Sequence, residues 1–354
     1  MPSSYRFCRF TAFLLVFLLS GCGNLSYYAQ SVGGQWQVWR AQQDIDAILA
    51  DPDSTPVLKE KLRTILEIRR FASEQLSLPD NDSYRSYADL KRPYVVWNVF
   101  AAPELSVTPE QWCFLFAGCV SYRGYFSKQD AEDFASELKT NNRDVYVAGI
   151  AAYSTLGWFD DPVLNTVMHR SSTDLAALIF HELSHQKLYI KGDTTFNESF
   201  ATAVEMLGTR YWLEVNNDPQ EYGAYLKRKQ RHDDFIQLVT QSREKLQQLY
   251  ASSETDEAKR DGKQKTLQKL KQDYARLKQH WDGDNRYDAW FTTDLNNAKL
   301  ASVAAYHTWV PAFLAIFEQS GKDWLIFYQQ VEKLGKLDKT QRTAELKKLT
   351  PPTQ

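Results

Sequence analysis

Residues 181–185 combine two histidines and a glutamate at a spacing that suits metal-assisted hydrolysis. The stretch reads His-Glu-Leu-Ser-His, and an apolar run precedes it. Hydroxyl residues at 171–173 predict the N-cap of a helix through this run. On such a helix His181 and His185 share one face, so both imidazoles can bind one metal ion. Glu182 lies about 100° further round the helix, beside the ion, where a general base activates water.

A catalytic zinc ion needs a third protein ligand and keeps its fourth position open to water. Glu198 is a candidate for the third ligand, because it begins a second predicted helix that the turn at Gly192 folds back on the first. The same glutamate would also complete a capping box at the start of that helix. Glu205, two turns later on nearly the same face, and Asp193 in the turn are the alternative ligands. The sequence therefore predicts a Zn²⁺ site of two histidines and one carboxylate.

The predicted chemistry also needs a side chain that stabilises the oxyanion of the transition state. Tyr306 is the preferred candidate, and its neighbour His307 and the distant Tyr153 are alternatives. The aromatic surroundings of Tyr306 are equally typical of core packing. Glu182 would move a proton from the attacking water to the leaving group.

The first 21 residues are predicted to be an export signal. Two arginines precede an apolar run over residues 10–19, which is shorter than the about 20 residues that span a bilayer. Leu-Ser-Gly-Cys at 19–22 resembles the lipobox of bacterial lipoproteins, which implies cleavage after residue 21 and a lipid on Cys22. Gly23, in place of an aspartate, implies the periplasmic side of a Gram-negative outer membrane. A retained N-terminal anchor is the alternative interpretation.

Charge and composition limit the remaining possibilities. The 354-residue chain has a formal net charge of -2 and 43% apolar residues. It can therefore bury a substantial core, and no excess of positive charge indicates a nucleic-acid partner. Cleavage after residue 21 removes two basic residues and no acidic ones, which leaves 40 basic against 44 acidic residues, a charge of -4.

Cys113 and Cys119 are the two cysteines that remain beside Cys22 after cleavage. An even pair in an exported protein predicts a disulfide. Two buried free thiols are the alternative. A two-cysteine zinc site is a weaker interpretation, because no histidine lies nearby.

The pattern of helices and strands along the chain predicts an α+β fold that is predominantly helical. Its core would be zincin-like, with a small mixed sheet beside the helix that carries residues 181–185. Residues 1–21 are the predicted signal peptide, and 22–354 form one domain with a charged helical hairpin inserted at 215–285. The other elements are predicted helices at 27–50, 56–76 and 129–140, strands at 94–100 and 144–150, an extended stretch at 152–159 and a hairpin turn at 252–262.

Several segments outside the histidine motif resemble a family of predicted bacterial aminopeptidases that occur as lipoproteins. These segments are residues 119–126, 152–162, 192–201 and 295–298. The resemblance covers most of the mature chain and implies a zinc-dependent aminopeptidase that acts on peptides at the cell envelope.

The Asn-Glu pair at 197–198 resembles the gluzincin arrangement of metallopeptidases, which implies Glu198 as the zinc ligand. Two features depart from it. Only 12 residues separate His185 from Glu198, fewer than in thermolysin-like enzymes. Thr202 stands where the thermolysin pattern has an acid that orients a zinc histidine, so another residue must orient it.

Substrate selection depends on weaker signals. The extended stretch from Ala148 could bind a peptide as an edge strand. Asp160 and Asp161 could bind a free α-amine, although turn acids before a proline are usually solvated. Peptides and the membrane are the expected partners, with an envelope protein at the hairpin as a further possibility. The alternatives are a zinc endopeptidase and a non-catalytic envelope scaffold. Glu182 argues against the scaffold, because a purely structural zinc site has no use for this carboxylate.

Overall fold

The computed structural model of the protein describes residues 22–114, 118–152, 154–155, 157, 159–303 and 309–350. The predicted signal peptide and the three candidates Tyr153, Tyr306 and His307 lie outside these residues. The division into a signal peptide and one domain with an inserted hairpin stays a prediction. No helix among the described residues is both long and apolar enough to span a bilayer.

Helices dominate the fold, which confirms the predicted α+β, predominantly helical class. The described part of the chain forms thirteen α-helices. Their bounds are α1 Cys22–Ala41, α2 Ile45–Ala50, α3 Pro56–Glu74, α4 Lys128–Thr140, α5 Ser172–Lys187, α6 Thr194–Val215, α7 Pro219–Ala251, α8 Asp256–His280, α9 Asp288–Thr292, α10 Asn297–Ala301, α11 Val310–Gln319, α12 Trp324–Gly335 and α13 Lys339–Leu349.

Three small sheets replace the single mixed sheet that the sequence predicts. One is mixed, with the order β1–β2–β8, one is antiparallel, with the order β6–β3–β7, and β4 and β5 form a short hairpin. The strand bounds are β1 Gln42–Asp44, β2 Ser86–Ala88, β3 Val96–Pro103, β4 Trp112–Phe114, β5 Gly118–Val120, β6 Arg123–Tyr125, β7 Arg143–Ile150 and β8 Val163–Leu164.

The predicted helix over residues 27–50 is interrupted. Helix α1 ends at Ala41, and residues 42–44 pair with β2 as a short antiparallel strand. Asp44 then caps α2, since its side chain accepts a hydrogen bond from the amide of Ala47 at 3.1 Å. The helical spacing of apolar residues continues across the break, so only the pairing with a distant strand reveals it.

The charged hairpin of α7 and α8 forms as predicted, but its turn is shorter. Thr255 caps α8, so only residues 252–255 connect the two helices. Gly262, predicted as part of the turn, lies inside α8. A Cβ atom there would lie 2.6 Å from Cδ2 of Leu249 on α7, so this glycine permits the close approach of the two helices.

Among the described residues, two large apolar cores and three smaller apolar clusters support the fold. The main core lies between α3, α5, α6 and the C-terminal helices α11 to α13. A second core joins the hairpin to α9 and α10. At the contact between α5 and α6, a Cβ on Gly208 would lie 2.9 Å from Cδ2 of Phe180. Gly208 therefore lets α6 pack closely against the helix that carries the histidine motif.

Candidate metal centre

Helix α5 presents the histidine motif because its other face is anchored in the main core. Ser171 caps the helix and accepts a hydrogen bond from the amide of Asp174 at 3.1 Å. Ile179, Phe180 and Leu183 are at most 1% exposed. With that face fixed, His181 and His185 lie together on the face that meets α6, at a ring separation of 5.0 Å.

Glu198 on α6 completes a group of three side chains that could hold a metal ion. Its oxygens lie 3.4 Å from Nε2 of His181 and 3.7 Å from Nε2 of His185, and the three ligand atoms lie within 4.8 Å of one another. In a tetrahedral zinc site with bonds of about 2.0–2.1 Å, neighbouring ligand atoms are about 3.3 Å apart. The observed separations and the donor set therefore fit a zinc ion.

The two histidines have different proton affinities. Burial lowers the pKa of His185 to about 4, with the positive charge of His181 acting in the same direction. His185 is therefore neutral at physiological pH, as metal binding requires. Burial also opposes a charge on His181, but hydrogen bonds to Glu198 and Glu205 raise its pKa well above the ordinary value. A bound cation would displace that proton.

Glu205 is the residue that orients His181. Its carboxylate lies 3.1 Å from Nδ1 of His181, the ring nitrogen opposite the one that faces Glu198. A carboxylate at this position fixes the ring and its tautomer and raises the basicity of the metal-binding nitrogen. Glu205 therefore replaces the acid that is missing at Thr202. In the sequence, the position of Glu205 two turns after Glu198, on the same helix face, indicates that its carboxylate lies near the metal group.

Asp193 and Asn197 build the turn between the two helices. Asp193, an alternative ligand in the sequence analysis, forms a buried ion pair with Arg342 at 2.8 Å and caps α6, so it does not join the metal group. The side chain of Asn197 donates to the carbonyl of Ile190 at 2.9 Å and accepts from its amide at 2.8 Å. These contacts explain why an asparagine precedes Glu198, since it holds the turn that brings the glutamate back to α5.

Glu182 lies beside the metal group but is not one of its three members. Burial raises its pKa to about 7, while the charge on His181 acts in the opposite direction. A divalent cation nearby would lower this pKa again, because it favours the carboxylate. Among the described residues, no hydrogen bond or ion pair involves the Glu182 carboxylate. This side chain is thus available to a water or a substrate.

Two cavities meet at Glu182. One, of about 670 Å³, is lined by the end of β7 and the residues after it, Gly149–Ala152. The other, of about 720 Å³, is lined by His181 and Glu198 of the metal group and is bounded by the hairpin helix α7. Arg170 and Leu178 line both cavities together with Glu182. The cleft therefore extends to both sides of Glu182.

Helix α7 forms a wall of the cleft, which the sequence analysis did not predict. Tyr225, Lys229, His232 and Ile236 line the cavity of the metal group. Nδ1 of His232 lies 2.8 Å from the hydroxyl of Tyr287, which lines the same cavity. The spacing of four, three and four residues was visible in the sequence as a helical stripe, but its charged surroundings are typical of a solvated surface.

The remaining predicted residues lie elsewhere. Asp161 is buried, and its carboxylate accepts hydrogen bonds from the amide of Thr155 at 2.9 Å and from Nε2 of Gln186 at 3.5 Å. It thus fastens a loop to α5, and neither Asp160 nor Asp161 lines the two cavities. The described residues of 152–159 belong to this loop, so the extended stretch predicted there ends with β7 at Ile150.

Cys113 and Cys119 face each other in the β4–β5 hairpin and form a disulfide. Both occupy exposed positions, which excludes the alternative of two buried thiols. They lie apart from the metal group, whose ligands come from α5 and α6.

The metal group, its orienting glutamate and the walls of the cleft all fall within one family match. A family model described as "Putative aminopeptidase" matches residues 26–346. The chain belongs to this family. The match confirms the family predicted from the sequence segments, and it indicates peptidase activity. Comparisons with curated proteins and with solved structures gave no match.

In this member of the aminopeptidase family, Glu205→Gln should weaken zinc binding about 10–100-fold without abolishing it, because the orienting charge on His181 is lost while all three ligands remain. Competition with a chromophoric chelator measures the affinity. Glu214→Gln, on the exposed part of the same helix, is the control, since Glu214 pairs with Arg210 at the surface. An unchanged affinity in the Glu205 variant would contradict the orienting role.

Proposed function

We propose that this protein is a zinc-dependent peptidase, with aminopeptidase action on peptides at the cell envelope. The observation that carries the proposal is the convergence of His181, His185 and Glu198 beside Glu182, whose carboxylate forms no hydrogen bond or ion pair with the residues that the structure describes. A purely structural zinc site would close its fourth position with a protein ligand. Glu182, in the cleft next to the group, is suited to catalysis instead.

In the proposed mechanism, His181, His185 and Glu198 would hold the zinc ion. A zinc ion held there would supply Lewis acidity and would lower the pKa of water to about 7. Glu182 accepts a proton from the attacking water and returns it to the leaving amine, which requires the carboxylate form at the start of the reaction. Glu205 keeps His181 aligned throughout.

The walls of the cleft support peptide binding on both sides of Glu182. Strand β7 is the outer strand of its sheet among the described residues, and its end lines one cavity. A peptide could add to this edge by main-chain hydrogen bonds. Arg170 lines both cavities, and its positive charge lowers the pKa of Glu182. It would therefore favour the proton-accepting form of the base.

Aminopeptidase action is supported by the family, whereas the shape of the cleft keeps endopeptidase action as a second candidate. The cavities on the two sides of Glu182 have similar volumes, about 670 and 720 Å³. An exopeptidase needs to close the cleft beyond the first residue of its substrate. Apart from Glu182, the proposed base, every acid that lines the two cavities among the described residues belongs to an ion pair or lies against His181, so none is free to bind an α-amine.

Zinc analysis combined with a peptide panel tests the proposed function. We expect about one zinc per chain, as for a catalytic site with three protein ligands, and cleavage of amino-acid amides and short peptides with free N-termini. Peptides with blocked N-termini distinguish the two candidates, since only an endopeptidase cleaves them. A protein that binds no zinc would refute the proposal. A protein that binds zinc but cleaves no peptide would favour a scaffold.

The proposed location follows from the N-terminal segment. We propose that the signal peptide is removed and that a lipid on Cys22 holds the protein on the periplasmic side of a Gram-negative outer membrane. Mass spectrometry of the purified protein would show the acyl groups on Cys22.

A further inference from the structure

Helix α1 has one face that the fold uses and one face that it leaves exposed. On the inner face, Val38 is buried, and Gly34 lies against the ring of Phe126 so closely that a side chain there would overlap it. The side chain of Gln30 accepts a hydrogen bond from the amide of Phe126 at 3.1 Å and donates to the carbonyl of Gly124 at 3.3 Å. These contacts fix the rotation of the helix, so the direction of its outer face is determined.

The outer face is apolar and aromatic. Tyr28 is 40% exposed, Val32 68%, Trp36 53% and Trp39 37%. Their spacing of four, four and three residues places them on one side of the helix. Phe159, itself 48% exposed, packs edge-on against Trp39 and extends the surface beyond the helix. A contiguous exposed surface of this kind marks an interaction site, because soluble proteins rarely leave such surfaces uncovered.

The charged residues of α1 indicate which class of partner would bind its outer face. Arg40 is the single charged residue among the twenty residues of α1, and it lies 4.6 Å from the centre of the Trp36 ring. Exposed tryptophan and tyrosine with a basic residue and without acids match the headgroup region of a membrane, where aromatic side chains concentrate and anionic lipids attract cations. A protein partner would ordinarily be recognised with more polar and charged contacts at the rim.

The position of α1 in the chain points to the same partner. The helix begins at Cys22, the residue proposed to carry the lipid. At about 1.5 Å per residue, Trp39 lies about 25 Å from Cys22 along the helix. A lipid at the first residue would therefore hold the whole helix within reach of the bilayer surface.

We infer that α1 lies on the bilayer surface, with Tyr28, Val32, Trp36 and Trp39 inserted into the headgroup region. The helix would orient the protein on the membrane, which a flexible tether would not do. This inference goes beyond the peptidase activity and does not depend on it. It uses the proposed lipid on Cys22 only to bring the helix to the membrane.

Quenching of tryptophan fluorescence by brominated lipids tests the inference. The full chain, expressed so that it can be acylated, is reconstituted into vesicles of phosphatidylethanolamine and phosphatidylglycerol with brominated acyl chains. We expect the lipids to quench part of the emission, and the double variant W36F/W39F to reduce the quenched part about twofold or more, because these rings lie at the membrane interface. Phenylalanine preserves the apolar character, so the variant should fold.

Trp324→Phe is the matched control, because Trp324 is 9% exposed and lies in the main core. Equal quenching in wild type and in W36F/W39F would overturn the inference, as would aqueous iodide quenching Trp36 and Trp39 equally with and without vesicles. If mass spectrometry finds no lipid on Cys22, the lipoprotein proposal fails on its own. The membrane contact of α1 is then tested by adding wild-type protein and W36F/W39F to the same brominated vesicles. Weaker quenching in W36F/W39F than in wild type supports the inference, and equal quenching overturns it.

Discussion

Replacing Glu182 with glutamine should lower kcat/KM about 10²–10⁴-fold, because the variant has no group that can accept the proton of the attacking water. The zinc content should stay at the wild-type value, since Glu182 lies outside the group of metal ligands. Single-turnover assays on a cleaved peptide, with zinc determined on the same samples, measure both quantities. Loss of activity together with loss of zinc would contradict the assignment of Glu182 as the base.

The stability of this variant provides an independent check. In the metal-free protein, burial raises the pKa of Glu182 to about 7 from an ordinary value of 4.5. The folded state therefore holds the proton more tightly than the unfolded state, and ionisation of this half-buried carboxyl group reduces stability as the pH rises through this range. Glutamine carries no charge, so the metal-free variant should be at least as stable as the metal-free wild type at neutral pH. The melting temperatures of the two metal-free proteins, measured at neutral pH by circular dichroism, test this prediction.

Replacing Glu198 with alanine should abolish stoichiometric zinc binding and, with it, activity. Two histidines on one helix remain, and they cannot replace the carboxylate that α6 supplies. The loss of affinity should exceed the about 10–100-fold expected for an outer partner such as Glu205. Equilibrium dialysis against zinc buffers measures it, with Glu214→Gln as the control on the same helix.

The comparison of the Glu198 and Glu205 variants separates the two candidates for the third ligand. If Glu205→Gln lost zinc completely and Glu198→Ala retained it, the assignment of the two glutamates would have to be reversed. Circular dichroism of the Glu198 variant distinguishes loss of the ligand from loss of the fold. We expect the fold to persist, since the side chain of Glu198 is partly exposed and lies outside the apolar core.

The sequence predicts the histidine helix and the family well, because both depend on local patterns. The positions of His181, Glu182 and His185 relative to one another follow from the helix period alone. The placement of Glu198 also follows, since a short turn must fold α6 back on α5. The roles of Glu198 as ligand and of Glu182 as base stay predictions until zinc and activity are measured.

Contacts between distant segments explain what the sequence did not predict. Residues 42–44 form a strand because β2 lies beside them, although their own pattern continues a helix. Glu198 is assigned as ligand and Glu205 as orienting residue because they face different ring nitrogens of His181. The approach of α7 to the metal group involves a segment more than thirty residues after the motif. Local patterns place Glu205 on the helix face of Glu198 and give α7 its stripe, but they do not specify which distant residue each one contacts.

The presence of two cores has a consequence for how this family can diversify. The proposed metal ligands and base are held by helices of the main core, whereas Phe235 and its neighbours on the cleft wall belong to the core of the hairpin. Substitutions in the hairpin could therefore reshape the cleft without repacking the residues around the proposed metal site. We therefore expect members of the family to vary more at the hairpin wall of the cleft than around the metal group.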